Sequence, residues 1–314
     1  MVKLGTFFAA AIASLALVQG ASWMFFARAF AQKAPACTAS SRLHIVAAEN
    51  FYQDIALQIS GSCARVTSVL SDPDVDPHEY EPTVNDAEAV ATANLVIENG
   101  GGYDDWVNKL LAASPDGGRL VINAWDISPV KISGNEHVWY CAEDMKAVAA
   151  AIAGDLKRLR PSQAERFEKN LTIFDESLDE IGAKIREISN RFSGLPIALT
   201  EPIFTYQADP MGLRVLTPFA LQKAVAEGID PPANAMLIAQ EQIRNKRVRV
   251  LVYNRQTADR FTARLEELAK GSGVPVVAIT ETMPAGKHYQ SWMVDQMDAL
   301  ESGLGGPGAG GGPR

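Results

Sequence analysis

The run from Pro161 to Phe192 constrains the fold of this chain more than any other stretch. Phe167, Leu171, Phe174, Leu178, Ile181, Ile185 and Ile188 recur at helical spacing. The spacing predicts one amphipathic helix over residues 161–192, and about thirty helical residues span roughly 45 Å. One small domain needs no such length, so the run reads as a rigid strut between two lobes. A coiled-coil dimerisation helix would require heptads sustained over a longer stretch.

On both sides of the strut, short apolar runs alternate with helical ones. Ahead of it, residues 43–47, 66–70, 95–98 and 119–123 read as strands. Between them fall helices over 51–59, opened by Asn50 and closed at Gly61, over 83–93, capped by Thr83, and over 103–113. Asn99-Gly100-Gly101-Gly102 forms a tight turn, because no Gly-Lys-Ser/Thr follows to make a phosphate loop. A further helix covers 142–159. Beyond Gly194, strands are expected at 196–200, 248–253 and 274–279, and helices at 234–244, 257–270 and 289–304. Such alternation implies an α/β protein with two doubly wound lobes of parallel sheet, residues 40–160 and 193–304, joined by one long rigid helix.

The ends read differently. Lys3, the uncharged apolar run from Leu4 to Phe26 and the small-residue site Ala29-Phe30-Ala31 predict a cleaved secretory signal over residues 1–31. An uncleaved anchor, or lipidation at Cys37, is the alternative. Residues 305–314 are nearly all Gly and Pro and are expected to be disordered.

Export permits disulfides. Cys37 and Cys63 precede the first two strands, whose amino ends lie side by side if the strands are parallel neighbours, so a Cys37–Cys63 bridge is expected and Cys141 is left free. A net charge of −8 disfavours nucleic acid and anionic membrane as partners.

Candidate chemistry collects beyond strand carboxyl ends, where open α/β sheets bind ligands. His78 lies in the proline-rich loop after residues 66–70, and His137 in a later loop. Glu201 directly follows one strand of the second lobe and Glu281 another. A cleft between lobes would gather all four. Two neutral imidazoles and two carboxylates carry charge −2, which offsets a divalent cation, and four protein ligands leave no position for an activated water. Such a site holds a metal without using it.

These residues resemble the metal-specific solute-binding proteins of ABC importers for zinc and manganese. Pro77-His78-Glu79-Tyr80-Glu81-Pro82-Thr83 looks like the family's first histidine motif and Glu136-His137-Val138-Trp139 like its second. Glu201-Pro202-Ile203-Phe204-Thr205-Tyr206, followed by Gly212-Leu213, is similar to the third, and Thr280-Glu281-Thr282-Met283-Pro284 to the fourth. The resemblance implies a monomeric periplasmic protein, not an enzyme, that carries one Mn2+ or Zn2+ between its lobes to a cognate ABC permease. It inserts in no membrane once the signal is cleaved.

The chain departs from the family at several positions. Many zinc-specific members carry histidine where Glu201 stands, many members carry aspartate where Glu281 stands, and the histidine-rich loop of zinc members is absent. Cys141 stands where relatives often have aspartate. His288 matches no ligand position and His44 sits in a strand. The rival readings are a metal-dependent hydrolase, for which no H-E-x-x-H or comparable motif is present, and a surface adhesin, a role described for relatives of this family.

Overall fold

The computed structural model describes residues 37–38, 41–72, 75, 80–257 and 259–305. The expected signal over 1–31, His78 and the tail from 306 onward lie outside the described residues. Two four-stranded sheets, each wholly parallel, form the frame. β1 (Leu43–Glu49), β2 (Ala64–Leu70), β3 (Leu95–Glu98) and β4 (Leu120–Asn123) lie in the order β2-β1-β3-β4. β5 (Pro196–Leu199), β6 (Arg214–Val215), β7 (Leu251–Asn254) and β8 (Val276–Ile279) lie in the order β6-β5-β7-β8. Both sheets therefore reverse winding direction beside their first strand, between β1 and β3 and between β5 and β7. Each reversal opens a crevice at the carboxyl ends.

Both faces of each sheet are covered, which is why strands such as Leu95–Glu98 are buried throughout. Alternate side chains enter different cores. Ile45 and Ala47 join a large apolar cluster that runs through both lobes, whereas Val46 and Ala48 pack beneath α2 (Val84–Ala91) and α3 (Trp106–Ala113). In the second lobe Ala198 and Leu251 face a separate core with α10 (Ala233–Arg244) and α11 (Arg260–Ser272). The shared cluster includes Phe51, Trp139, Phe204 and Trp292, with Phe51 stacked on Trp139 at 4.7 Å between centroids.

The strut is helical from Ala164 to Phe192 but not as one helix: α6 (Ala164–Ser177) and α7 (Asp179–Phe192) meet at Leu178. Ser177 Oγ bonds back to the Phe174 carbonyl at 2.6 Å, a local competitor for the helical ladder. Leu178 stays in the right-handed region (φ −73°, ψ −12°), so the two segments follow on from each other. Phe167, Phe174, Leu178, Ile181 and Ile188 are buried as their spacing predicts.

The capping box at Thr83 is present, with Asp86 as its partner. Asn50, by contrast, does not cap α1 (Asn50–Ser60). It is the first helical residue, Glu49 takes the cap position, and the Asn50 amide clasps Met283 of the other lobe instead. The helix expected from residue 103 begins at Trp106, because Asp104 accepts the N–H groups of Asn99 and Gly100 and holds a turn there. Gly100, Gly101 and Gly102 all have positive φ, and a Cβ on Gly100 would strike the Asn123 side chain. The helix expected from residue 257 begins at Arg260 under an Asp259 cap, leaving Thr257 ahead of it. β6 and α9 (Phe219–Ala226) are elements the sequence reading did not assign.

Cys37 and Cys63 are bridged, with Cα atoms 5.0 Å apart, and β1 and β2 pair in parallel just beyond them. Cys141 is the free thiol. Among the described residues no helix is long and apolar enough to cross a membrane.

Candidate metal centre

His137 follows the turn at Ile132–Asn135, Glu201 directly follows β5, and Glu281 stands two residues beyond β8. Their exposures are 0 %, 2 % and 0 %. One donor atom from each lies within 4.8 Å of the others, and His137 Nε2 is 3.6 Å from Glu281 Oε1. Three of the four residues named from sequence are thus brought together, one from the first lobe and two from the second.

The histidine is presented for ligation. Asn135 Oδ1 accepts the backbone N–H of His137, and Asn135 Nδ2 donates to the Pro202 carbonyl, so the backbone orients this amide. The same Oδ1 lies 2.8 Å from His137 Nδ1, which must then carry the ring proton. The Nε2 lone pair is left toward the carboxylates, the tautomer a metal needs.

The carboxylates are positioned by residues that the sequence reading passed over. Asn254, the last residue of β7, donates to Glu201 Oε2 at 3.2 Å and to Glu281 Oε2 at 2.7 Å. Thr257 Oγ1 donates to Glu201 Oε1. Gln256 Oε1 accepts the backbone N–H groups of Glu281 and Thr282, and Gln256 Nε2 donates to the Val75 carbonyl at 3.4 Å, three residues before His78. One signal in the sequence pointed to Asn254. It ends a strand beside Glu201 and Glu281, but it does not titrate.

Bonds across the cleft hold the lobes together around the centre. Trp139 Nε1 donates to the Glu281 carbonyl, Tyr140 to that of Thr280, and Tyr289 to that of Trp139. Burial, and next the Glu281 carboxylate, raise the Tyr103 phenol well above its usual range, so it stays protonated beside the His137 ring.

The other titratable candidates lie elsewhere. His288 bonds Asp54 through Nδ1 at 2.7 Å, and His44 is half-buried against Thr92 and Thr67. Burial, ahead of neighbouring Asp144, pushes the Cys141 thiol up to about 11, which keeps it an unreactive thiol at neutral pH.

An imidazole nitrogen and two carboxylates, converging and buried, suit a divalent transition ion in charge and in donor type. Two α/β lobes closed over such a set define a two-lobed binding protein for a small charged solute.

Comparison with known proteins identifies the lineage. Residues 45–303 match the family described as "Zinc-uptake complex component A periplasmic". Among curated relatives, the manganese ABC transporter substrate-binding lipoprotein PsaA of Streptococcus anginosus is 26% identical, over 97% of this chain and 99% of its own. The iron-binding protein YfeA of Yersinia pestis is 28% identical over 64% of this chain and 67% of its own. Among solved structures, the periplasmic zinc-binding protein TroA of Treponema pallidum superposes with a TM-score of 0.73 at 18% identity, covering 84% of this chain and 99% of that one. The chain belongs to the zinc-uptake component A family: it is a solute-binding component of metal uptake, not an enzyme.

Proposed function

We propose that this protein captures one divalent ion, Mn2+ or Zn2+, through His78, His137, Glu201 and Glu281, and delivers it outside the cytoplasmic membrane to the permease of an ABC importer, acting as a monomer. The observation that carries this reading is the buried convergence of His137, Glu201 and Glu281 within 4.8 Å. His78 is the fourth ligand. Supporting it, the carbonyl of Val75, three residues before His78 in the sequence, is tied through Gln256 to the backbone of Glu281. The relatives named for manganese and iron, and the structural neighbour named for zinc, support a transition ion as cargo. A carboxylate at 201 is a harder donor than imidazole and shifts preference toward manganese, although zinc generally outbinds manganese in a given site.

Metal analysis of the protein purified from its own cell envelope, followed by calorimetric titration of the stripped protein, tests the reading. One ion per chain is expected. Ion at about a hundred times its dissociation constant adds roughly 2.7 kcal/mol, so chelation lowers the melting temperature. His78→Ala and Glu281→Ala should each weaken binding by about 100-fold or more. A melting temperature indifferent to chelation, in protein shown to have carried metal, would refute the interlobe site.

A further inference from the structure

Asn254 is fully buried, and its amide orientation is set by the backbone. The N–H of Gln256 donates to Asn254 Oδ1 at 3.1 Å, which turns Nδ2 and its two hydrogens to the opposite side. There Nδ2 meets two acceptors, Oε2 of Glu201 and Oε2 of Glu281. One amide therefore spans both anionic ligands of the second lobe. Thr257 adds a donor to Oε1 of Glu201. A hydrogen bond takes one of an oxygen's two lone pairs and does not bar that oxygen from an ion. What Asn254 fixes is the tilt of each carboxylate, and it resists the rotation that would turn both oxygens of either group onto one ion.

We propose that Asn254 is a specificity-determining residue of the metal centre: it holds one oxygen of each carboxylate, so that Glu201 and Glu281 each enter through a single oxygen and the ion keeps four protein ligand atoms. The inference rests on the metal-capture reading and deepens it. Zinc is satisfied by four ligands in a tetrahedron, whereas manganese favours six, rich in oxygen. Two carboxylates free to bind through both oxygens would raise the ligand atoms from four to six. Glu201 supplies the hard donor that manganese favours, and Asn254 opposes it by resisting the rotation that would bring in the extra oxygens. The residue also preassembles half the site. It sets the two carboxylates side by side within one lobe, whatever the other lobe does.

The test compares the parent protein, stripped by chelation, with Asn254→Ala and Asn254→Ser. Each is titrated with Zn2+ and with Mn2+ by calorimetry, and each is loaded with Co2+ for its visible spectrum. The parent cobalt form should show the intense d–d absorption of four-coordination. In Asn254→Ala that absorption should fall toward the weak bands of five- or six-coordination, and the ratio of zinc to manganese affinity should drop by about tenfold. Asn254→Ser keeps one donor and should fall between the two.

A parent cobalt spectrum that is already five- or six-coordinate overturns the proposal without any variant having to fold. Variants that weaken both ions equally and leave the cobalt spectrum unchanged overturn it as well, because they would show Asn254 to be structural only. Failure of the metal-capture reading looks different: the parent itself would bind none of the three ions.

Discussion

In the first lobe the acids at the strand ends turn toward one another; in the second they are held for use. Both lobes have the same strand order and so the same crevice at the carboxyl ends. Glu49 and Glu98 end β1 and β3 beside one crevice, and Glu201 follows β5 beside the other. Burial first, and then Asp104 and Glu98, raises the Glu49 carboxyl well above its ordinary range. Burial likewise lifts Glu98, and pushes Asp104 up to about 7. Burial thus disfavours charge on all three acids of this lobe, whose donor to the candidate centre is His137. In the second lobe Asn254 and Thr257 supply N–H and O–H donors to the carboxylates of Glu201 and Glu281. The contrast teaches that topology selects the location of these acids and the groups packed around each decide what it touches.

The comparison can be broken at several points. The disulfide ties the first lobe's strand starts, at the end of the sheet away from the candidate centre. It closes a separation of 26 residues, which by chain entropy contributes about 3–4 kcal/mol. Cys37→Ser with Cys63→Ser should lower stability in denaturant titrations by that order while leaving zinc affinity within about threefold. A large loss of affinity would mean that the two ends of the first sheet are coupled.

The raised acids predict a pH signature. Asp104 has a folded pKa of about 7, above its unfolded value, so between pH 4 and 7 the unfolded chain has released a proton that the folded one retains. Its contribution to stability is therefore fully present below pH 4 and is lost as pH rises toward 7, at no more than about 1.4 kcal/mol per unit. Urea titrations of the metal-free protein across that range should show the decline, and Asp104→Asn should flatten it. An unchanged slope would mean that Asp104 is not held above its ordinary range in the folded protein.

The smallest expected effect sharpens the role of the second lobe. Glu201→His replaces a hard donor by a softer one and should weaken manganese binding more than zinc binding, by a ratio of about tenfold. Equal loss for both ions, or loss for neither, in calorimetry would remove Glu201 as the residue that tunes the metal.

The sequence by itself determined the two α/β lobes and the lineage, and it named three residues that the structure gathers. Alternation of apolar and helical runs is a local periodic signal, and position after a strand places His137, Glu201 and Glu281 at carboxyl ends before any contact is known. The Cys37–Cys63 pairing followed in the same way, from strand neighbours. Tertiary structure alone decided which neutral side chains serve the site. Asn50 looks like a helix cap because its local context is that of one, yet its amide is taken by Met283, 233 residues away. Thr257 reads as the start of a helix and instead donates to Glu201, 56 residues away. Asn254 shows in the sequence only as a residue at the end of an apolar run, since its two acceptors stand 53 and 27 residues from it. An amide has no charge and no periodicity to show in sequence. Its role depends on which donors and acceptors the packed chain brings within 3 Å or so of it, and only the assembled second sheet does that.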